Sequence, residues 1–93
     1  MFWTIRESRA VAKEVPKLPR PIRESYEAWK AIVRTHGPRH LRQIKGFHDE
    51  ALRGEWQGYR SSRLNKQYRV IYRVVDDELL VLVERVTAHD YRR

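Results

Sequence analysis

The sequence predicts an α+β fold: a small antiparallel β-sheet packed on two N-terminal helices, in the order βααβββ. Three observations carry this. Ile22, Tyr26, Trp29 and Val33 recur at helical spacing between Pro21 and the Gly37-Pro38 break. Three β-rich segments then follow one another across residues 56–87, parted only by short polar turns. At the other end, Phe2-Trp3-Thr4-Ile5 is short, aromatic and β-branched, and reads as a strand. The 93 residues suit a single domain spanning 1–93. A chain of this size buries roughly 60–65% of its unfolded surface, so the core is modest.

Each element has its own local reason. After the first strand, Ser8 can cap a helix running to Val15, with Ala10, Val11 and Val15 inward. Pro16, Pro19 and Pro21 then make residues 17–20 a stiff connector. Pro21 suits the first turn of the second helix, and Gly37-Pro38 ends it. Its apolar stripe faces the core, while Arg23, Glu24, Glu27, Lys30 and Arg34 line the other side. At that spacing Trp29 belongs to the core. Residues 38–44 form a short helical turn with Leu41 and Ile44 inward. Residues 45–54 read as a loop holding Phe47, His48, Asp49 and Glu50. The remaining strands are expected at 56–64, 67–75 and 79–87. Asn65-Lys66 and Asp76-Asp77-Glu78 make them antiparallel hairpin neighbours. Val70-Ile71 and Val74-Val75 are apolar on both parities, so the middle strand should be buried on both faces.

Composition narrows the function. The net charge is +8, from 20 Lys and Arg against 12 Asp and Glu, and arginine far outnumbers lysine. Arginine forks onto phosphate or carboxylate. A polyanion partner follows: nucleic acid, or an acidic protein that mimics it. A hydrophobic content of 41% makes this a folded domain and not a basic tail. The absence of cysteine excludes disulfides and thiolate metal sites and fits the cytoplasm. No apolar run approaches the roughly 20 residues of a membrane span. The N-terminus lacks a signal-peptide core. No repeat or linker is present.

Strand parity sorts the candidate residues. Tyr59, Ser61 and Arg63 share one face of their strand; Arg60, Ser62 and Leu64 share the other. Leu64 turns its own face toward the core, which leaves Arg63 on the open side as a functional arginine. Arg60 and Arg69 fit a functional or a structural role equally well. Arg73 is expected to pair with Glu84, Glu55 or a helix carboxylate. His89, the only histidine of the strand-rich third, titrates in a range suited to proton transfer near neutrality. Tyr91 can stack on a base or dock the tail. His36 and His40 are split by Gly37-Pro38 and, with His48, make no metal signature. Gly54 and Gly58 form no phosphate loop, and Ser61 and Ser62 lack a nucleophile-elbow context.

Four stretches in order resemble the RelE/ParE toxin superfamily of toxin–antitoxin modules. They are Leu52-Arg53-Gly54-Glu55-Trp56, Gly58-Tyr59-Arg60-Ser61-Ser62-Arg63-Leu64, Tyr68-Arg69-Val70-Ile71-Tyr72 and Thr87-Ala88-His89-Asp90-Tyr91. The terminal His-x-Tyr is closer to the mRNA-cutting branch, whose members resemble RelE, YoeB and YafQ, than to gyrase-directed members. The resemblance implies a RelE-like fold and a cytoplasmic toxin that cuts mRNA in the ribosomal A site, through attack by the 2′-hydroxyl and without metal or cofactor. It implies catalytic roles for Arg63, His89, Tyr91 and Arg60, and phosphate binding by Arg53, Lys66, Arg69 and Arg85. The implied partners are mRNA, the 30S A site and a cognate antitoxin with an acidic wrapping segment, and no membrane. Gln67 stands where related sequences often carry an acid, which leaves the general base open, with Glu50, Glu55 and Lys66 as lesser candidates. A gyrase inhibitor without nuclease chemistry and a non-catalytic RNA-binding domain are the alternatives.

Overall fold

A computed structural model of the chain describes residues 2–88. Its regular elements are β1 (Thr4–Glu7), α1 (Arg9–Glu14), α2 (Arg20–His36), β2 (Glu50–Ala51), β3 (Arg60–Arg63), β4 (Arg69–Val75) and β5 (Leu80–Thr87), joined by short 3-10 turns. The architecture is the expected α+β arrangement.

Local chemistry explains the helix ends. The Ser8 hydroxyl accepts from the Val11 amide at 3.2 Å and donates to the Glu84 carbonyl at 2.8 Å, so the cap of α1 also ties the helix to β5. Val11 points into the core, but Ala10 is exposed rather than inward as expected. Pro16 lies in the 3-10 turn Val15–Lys17 that follows α1. In α2 the predicted stripe of Ile22, Tyr26, Trp29 and Val33 is buried. Gly37 ends α2 at φ 86°, ψ 162°, a backbone conformation close to glycine-only. A Cβ there would lie 2.8 Å from the Trp3 indole nitrogen.

The sheet runs β1-β5-β4-β3-β2. The β3–β4 and β4–β5 pairs are antiparallel, as the short turns predict. Two features differ from the expected sheet. β1 lies parallel to β5, from Thr4 opposite Leu80 to Glu7 opposite Val83, so the sheet is mixed. Parallel neighbours need no hairpin between them, and almost the whole chain separates these two. β2 adds a fifth strand antiparallel to β3, within a stretch expected as loop. Two residues are too few to show a period. β3 also starts later than expected. Gly54–Trp56 forms a 3-10 turn, with Gly54 at φ 66° and Gly58 at φ 94°, so pairing begins at Arg60.

The core lies between the helices and one sheet face. Val11, Tyr26, Trp29, Val33 and Leu41 meet Val70, Tyr72, Val81, Val83 and Val86. Trp29 stacks on Tyr26 at 6.0 Å and meets the Tyr72 ring edge-on at 5.3 Å. β4 is buried on both faces over residues 69–72, as its sequence predicts, and its far half is more open. Arg73 is exposed and makes no ion pair among the described residues, against the pairing expected of it. Its face is outside the core, so nothing compels a carboxylate partner. Among the described residues, no helix is long and apolar enough to cross a membrane.

Candidate functional site

Register places the chemistry-bearing residues in rows. Opposed residues on neighbouring strands project to the same side of a sheet. Arg63 lies opposite Arg69, which lies opposite Thr87; Ser61 lies opposite Ile71, which lies opposite Arg85. Glu50 pairs with Ser61 and joins the second row. Glu50, Ser61, Arg63, Arg69, Ile71, Arg85 and Thr87 therefore share the sheet face opposite that of Val70, Tyr72 and Val86. Ser61, Ile71, Arg69 and Thr87 are buried; Glu50, Arg63 and Arg85 are half-buried.

Several polar atoms on this face are buried and unsatisfied. The Nε of Arg63, the Nε of Arg85 and the Oγ of Ser61 have no hydrogen-bond partner among the described residues. A buried donor left unpaired costs roughly 1–3 kcal/mol, more when charged. Folded proteins keep few of them, and a ligand that brings acceptors removes the penalty. Arg85 is partly held: its Nη2 lies 3.4 Å from Glu14 Oε2. Arg63 is in no ion pair with a described residue. It lines a recess of about 290 Å³ with Ser25, Ala28, Ile44, Gly46, Phe47 and Leu64. An arginine at the rim of an apolar recess suits a ligand with an anionic group and a flat apolar part.

The helix-facing side of β3 carries a different constellation, centred on Asp49. The side chain of Asp49 is fully buried. It accepts from Arg60 Nε at 2.7 Å, from the Ser62 hydroxyl at 2.6 Å and from the Tyr72 hydroxyl at 2.5 Å. Burial pulls the Arg60 pKa down, but the hydrogen bond to Asp49 and its charge outweigh that and raise it, so Arg60 stays cationic. Burial pushes the Tyr72 pKa up, and the charge and hydrogen bond of Asp49 push it further, so Tyr72 stays neutral and donates. Parity separated Arg60 from Arg63, and the structure places them on opposite sides of β3.

The other expected residues are spread more widely. Arg53 is exposed after β2 and lines a broad opening of about 490 Å³ with Glu50, Ala51 and Leu52. Lys66 is exposed in the β3–β4 turn, where Asn65 Oδ1 accepts from the amides of Gln67 and Tyr68 at 2.8 and 2.7 Å. Arg69 and Arg85 join Arg63 on one face. His89 and Tyr91 lie outside the described residues. Glu50, only a lesser candidate in the sequence, becomes a carboxylate on the arginine-bearing face. Its signal was the acidic pair Asp49-Glu50 just before Leu52, which could be sorted only once β2 was known to be a strand.

No protein-family model matches the chain, and no curated protein matches it. Solved structures do. The toxin–antitoxin complex RelBE2 from Mycobacterium tuberculosis matches at 24% identity and TM-score 0.69, over 96% of this chain and 100% of that one. An archaeal RelE–RelB complex from Pyrococcus horikoshii matches at 21% and 0.74, over 95% and 96%. The DinJ–YafQ toxin–antitoxin complex of E. coli matches at 21% and 0.74, over 96% and 94%. Near-complete coverage in both directions, with the mixed sheet and helices described above, gives this chain the RelE-like toxin fold.

Proposed function

We propose that this chain is the toxin of a type II toxin–antitoxin module and a ribosome-dependent endoribonuclease that cuts mRNA in the A site. The observation that carries the reading is Arg63, half-buried, its Nε unsatisfied among the described residues, on the same sheet face as Arg69, Arg85 and Glu50. In the proposed reaction the 2′-oxygen bonds to phosphorus, the P–O5′ bond breaks, and a 2′,3′-cyclic phosphate forms. Glu50 takes the 2′-hydroxyl proton. Arg63 meets the charge that builds on the non-bridging oxygens, and Arg69 and Arg85 hold the phosphate. His89 returns a proton to the leaving 5′-oxygen, and Tyr91 stacks on the nucleotide; both roles rest on the sequence. Arg53 and Lys66 contact flanking phosphates. Arg60 acts indirectly, through Asp49. No metal takes part. The protein works in the cytoplasm, at the 30S A site, and is held off by an antitoxin whose acidic segment covers the basic surface.

Primer extension on translated mRNA tests this. Induction of the chain should produce cuts at A-site codons and arrest growth. Arg63→Ala should lower kcat on the order of 10²–10³-fold, the loss typical of one well-placed charge-stabilising donor. His89→Gln should also relieve arrest. If both variants, folded and expressed, remain fully toxic, the site is wrong. Gyrase-trapped DNA breaks without mRNA cuts would replace the nuclease reading with gyrase inhibition.

A further inference from the structure

Asp49 accepts three side-chain hydrogen bonds, and the reaction above gives it nothing to do. Its side chain is fully buried, and Arg60 and Ser62 of β3 and Tyr72 of β4 all donate to it. It directly precedes β2, the weakest element of the sheet. That strand is two residues long, pairs with β3 at only two positions, and lies at the sheet edge. The turn before it passes through His48 in the left-handed region at φ 45°. Backbone pairing alone would not hold so short an edge strand. Successive residues of a strand point to opposite sides. Asp49 is locked to Arg60 and Ser62 immediately before β2 begins, while Glu50, the first residue of β2, pairs with Ser61, on the other side of β3 and beside the Arg63–Arg69 row.

We propose that Asp49 is a positioning residue: its buried carboxylate pins β2 to β3 and β4, and so holds Glu50 on the arginine-bearing face. The part that concerns catalysis rests on the nuclease reading; the pinning itself does not. Arg60, Ser62 and Tyr72 thereby serve the far side of the sheet without touching a ligand there. The arrangement also accounts for a charged cluster kept within the small core, since a buried ion pair stabilises a fold weakly but fixes geometry.

Two measurements test it on the full chain. The first is amide exchange. Asp49→Asn should speed exchange at the Leu52 amide by at least about tenfold, as expected when local opening becomes easier. Amides in the middle of β4 and β5 should keep their protection. Leu52 is informative because its amide donates to the Tyr59 carbonyl at 2.9 Å just beyond β2. The second is single-turnover cleavage of ribosome-bound mRNA. Asp49→Asn should lower the cleavage rate on the order of 10²-fold, as expected for a misplaced catalytic group, with ribosome affinity within about twofold. In a Glu50→Gln background the same change should cost almost nothing further. Val33→Ala, a cavity in α2 remote from β2, controls for lost stability: it should lower Tm and leave the rate within about twofold.

Unchanged exchange at the Leu52 amide overturns the pinning. A full further loss in the Glu50→Gln background, or a rate that merely follows Tm across Asp49→Asn and Val33→Ala, overturns the route through Glu50. If the wild-type chain cuts no mRNA, the nuclease reading falls, and the exchange experiment decides the pinning by itself.

Discussion

At the scale of single residues, the same chemistry means different things on the two sides of β3. Arg60 and Arg63 are three positions apart and both half-buried. Arg60 is neutralised by a buried carboxylate at 2.7 Å, whereas the buried Nε of Arg63 has no acceptor among the described residues. A phosphate gains most at the second, because no ion pair with a described residue must first be broken. Removing Asp49 should be costly in another way. Asp49→Ala leaves Arg60 cationic and mostly buried, and should lower stability by about 3 kcal/mol, read by urea unfolding. His48 gives the opposite prediction. It is exposed and held at φ 45°, so His48→Gly should raise stability by about 0.5–1 kcal/mol by removing left-handed strain. If Asp49→Ala were neutral, the cluster would be a minor decoration of the core.

At the scale of elements, α2 ends against Trp3, the residue just before β1. The Trp3 amide donates to the Arg34 carbonyl at 3.0 Å, and the Trp3 indole sits against Gly37. Gly37→Ala meets both a glycine-only backbone conformation and a 2.8 Å clash with the indole nitrogen. The change should cost at least about 2 kcal/mol, seen as a lower Tm. Gly46→Ala is the matched control: its Cβ would meet nothing within 4 Å, and stability should stay within about 0.5 kcal/mol. Elements also set what could be read from sequence. α2 was legible because seventeen residues repeat its period several times over, and Pro19, Pro21 and Gly37 mark its ends. The β4–β5 hairpin was legible from two apolar runs around Asp76-Asp77-Glu78. β2 was not, because a two-residue strand exists only through its partner.

For the whole molecule, two pH- and salt-dependent behaviours follow. Tyr26 and Tyr72 both have pKa values raised by burial, then by hydrogen bonds and charge from Glu7 and Asp49 respectively. In the unfolded chain tyrosine titrates near pH ~10. Below that pH both states hold the phenolic protons, and the stabilisation is fully present. Above it only the unfolded chain releases them, so stability should fall as pH rises, by up to about 1.4 kcal/mol per pH unit for each tyrosine. Denaturant unfolding at pH 9 and pH 11 checks this. Tyr72→Phe should flatten the slope by about half, since one of two coupled protons is gone. The net charge of +8 gives the second behaviour. Under the proposed function, the logarithm of the affinity for ribosomes or RNA should fall linearly with the logarithm of salt concentration. A flat salt dependence would remove the electrostatic basis of the site.

The sequence by itself determined the fold class, the core stripe of α2, the hairpin succession of β3, β4 and β5 and the division of arginines by strand parity. All of these depend on local periodicity and turn chemistry, which short stretches of chain carry on their own. Only the tertiary structure decided that β1 lies parallel to β5, that β2 exists, that Arg73 stands exposed and that Arg60 is bound to Asp49. It also separated Asp49 and Glu50, neighbours in an apparent loop: Asp49 binds Arg60 and Ser62, and Glu50 pairs with Ser61 on the other side of β3. These outcomes depend on partners that lie far apart along the chain, and residue spacing carries no record of which distant side chain will be opposite.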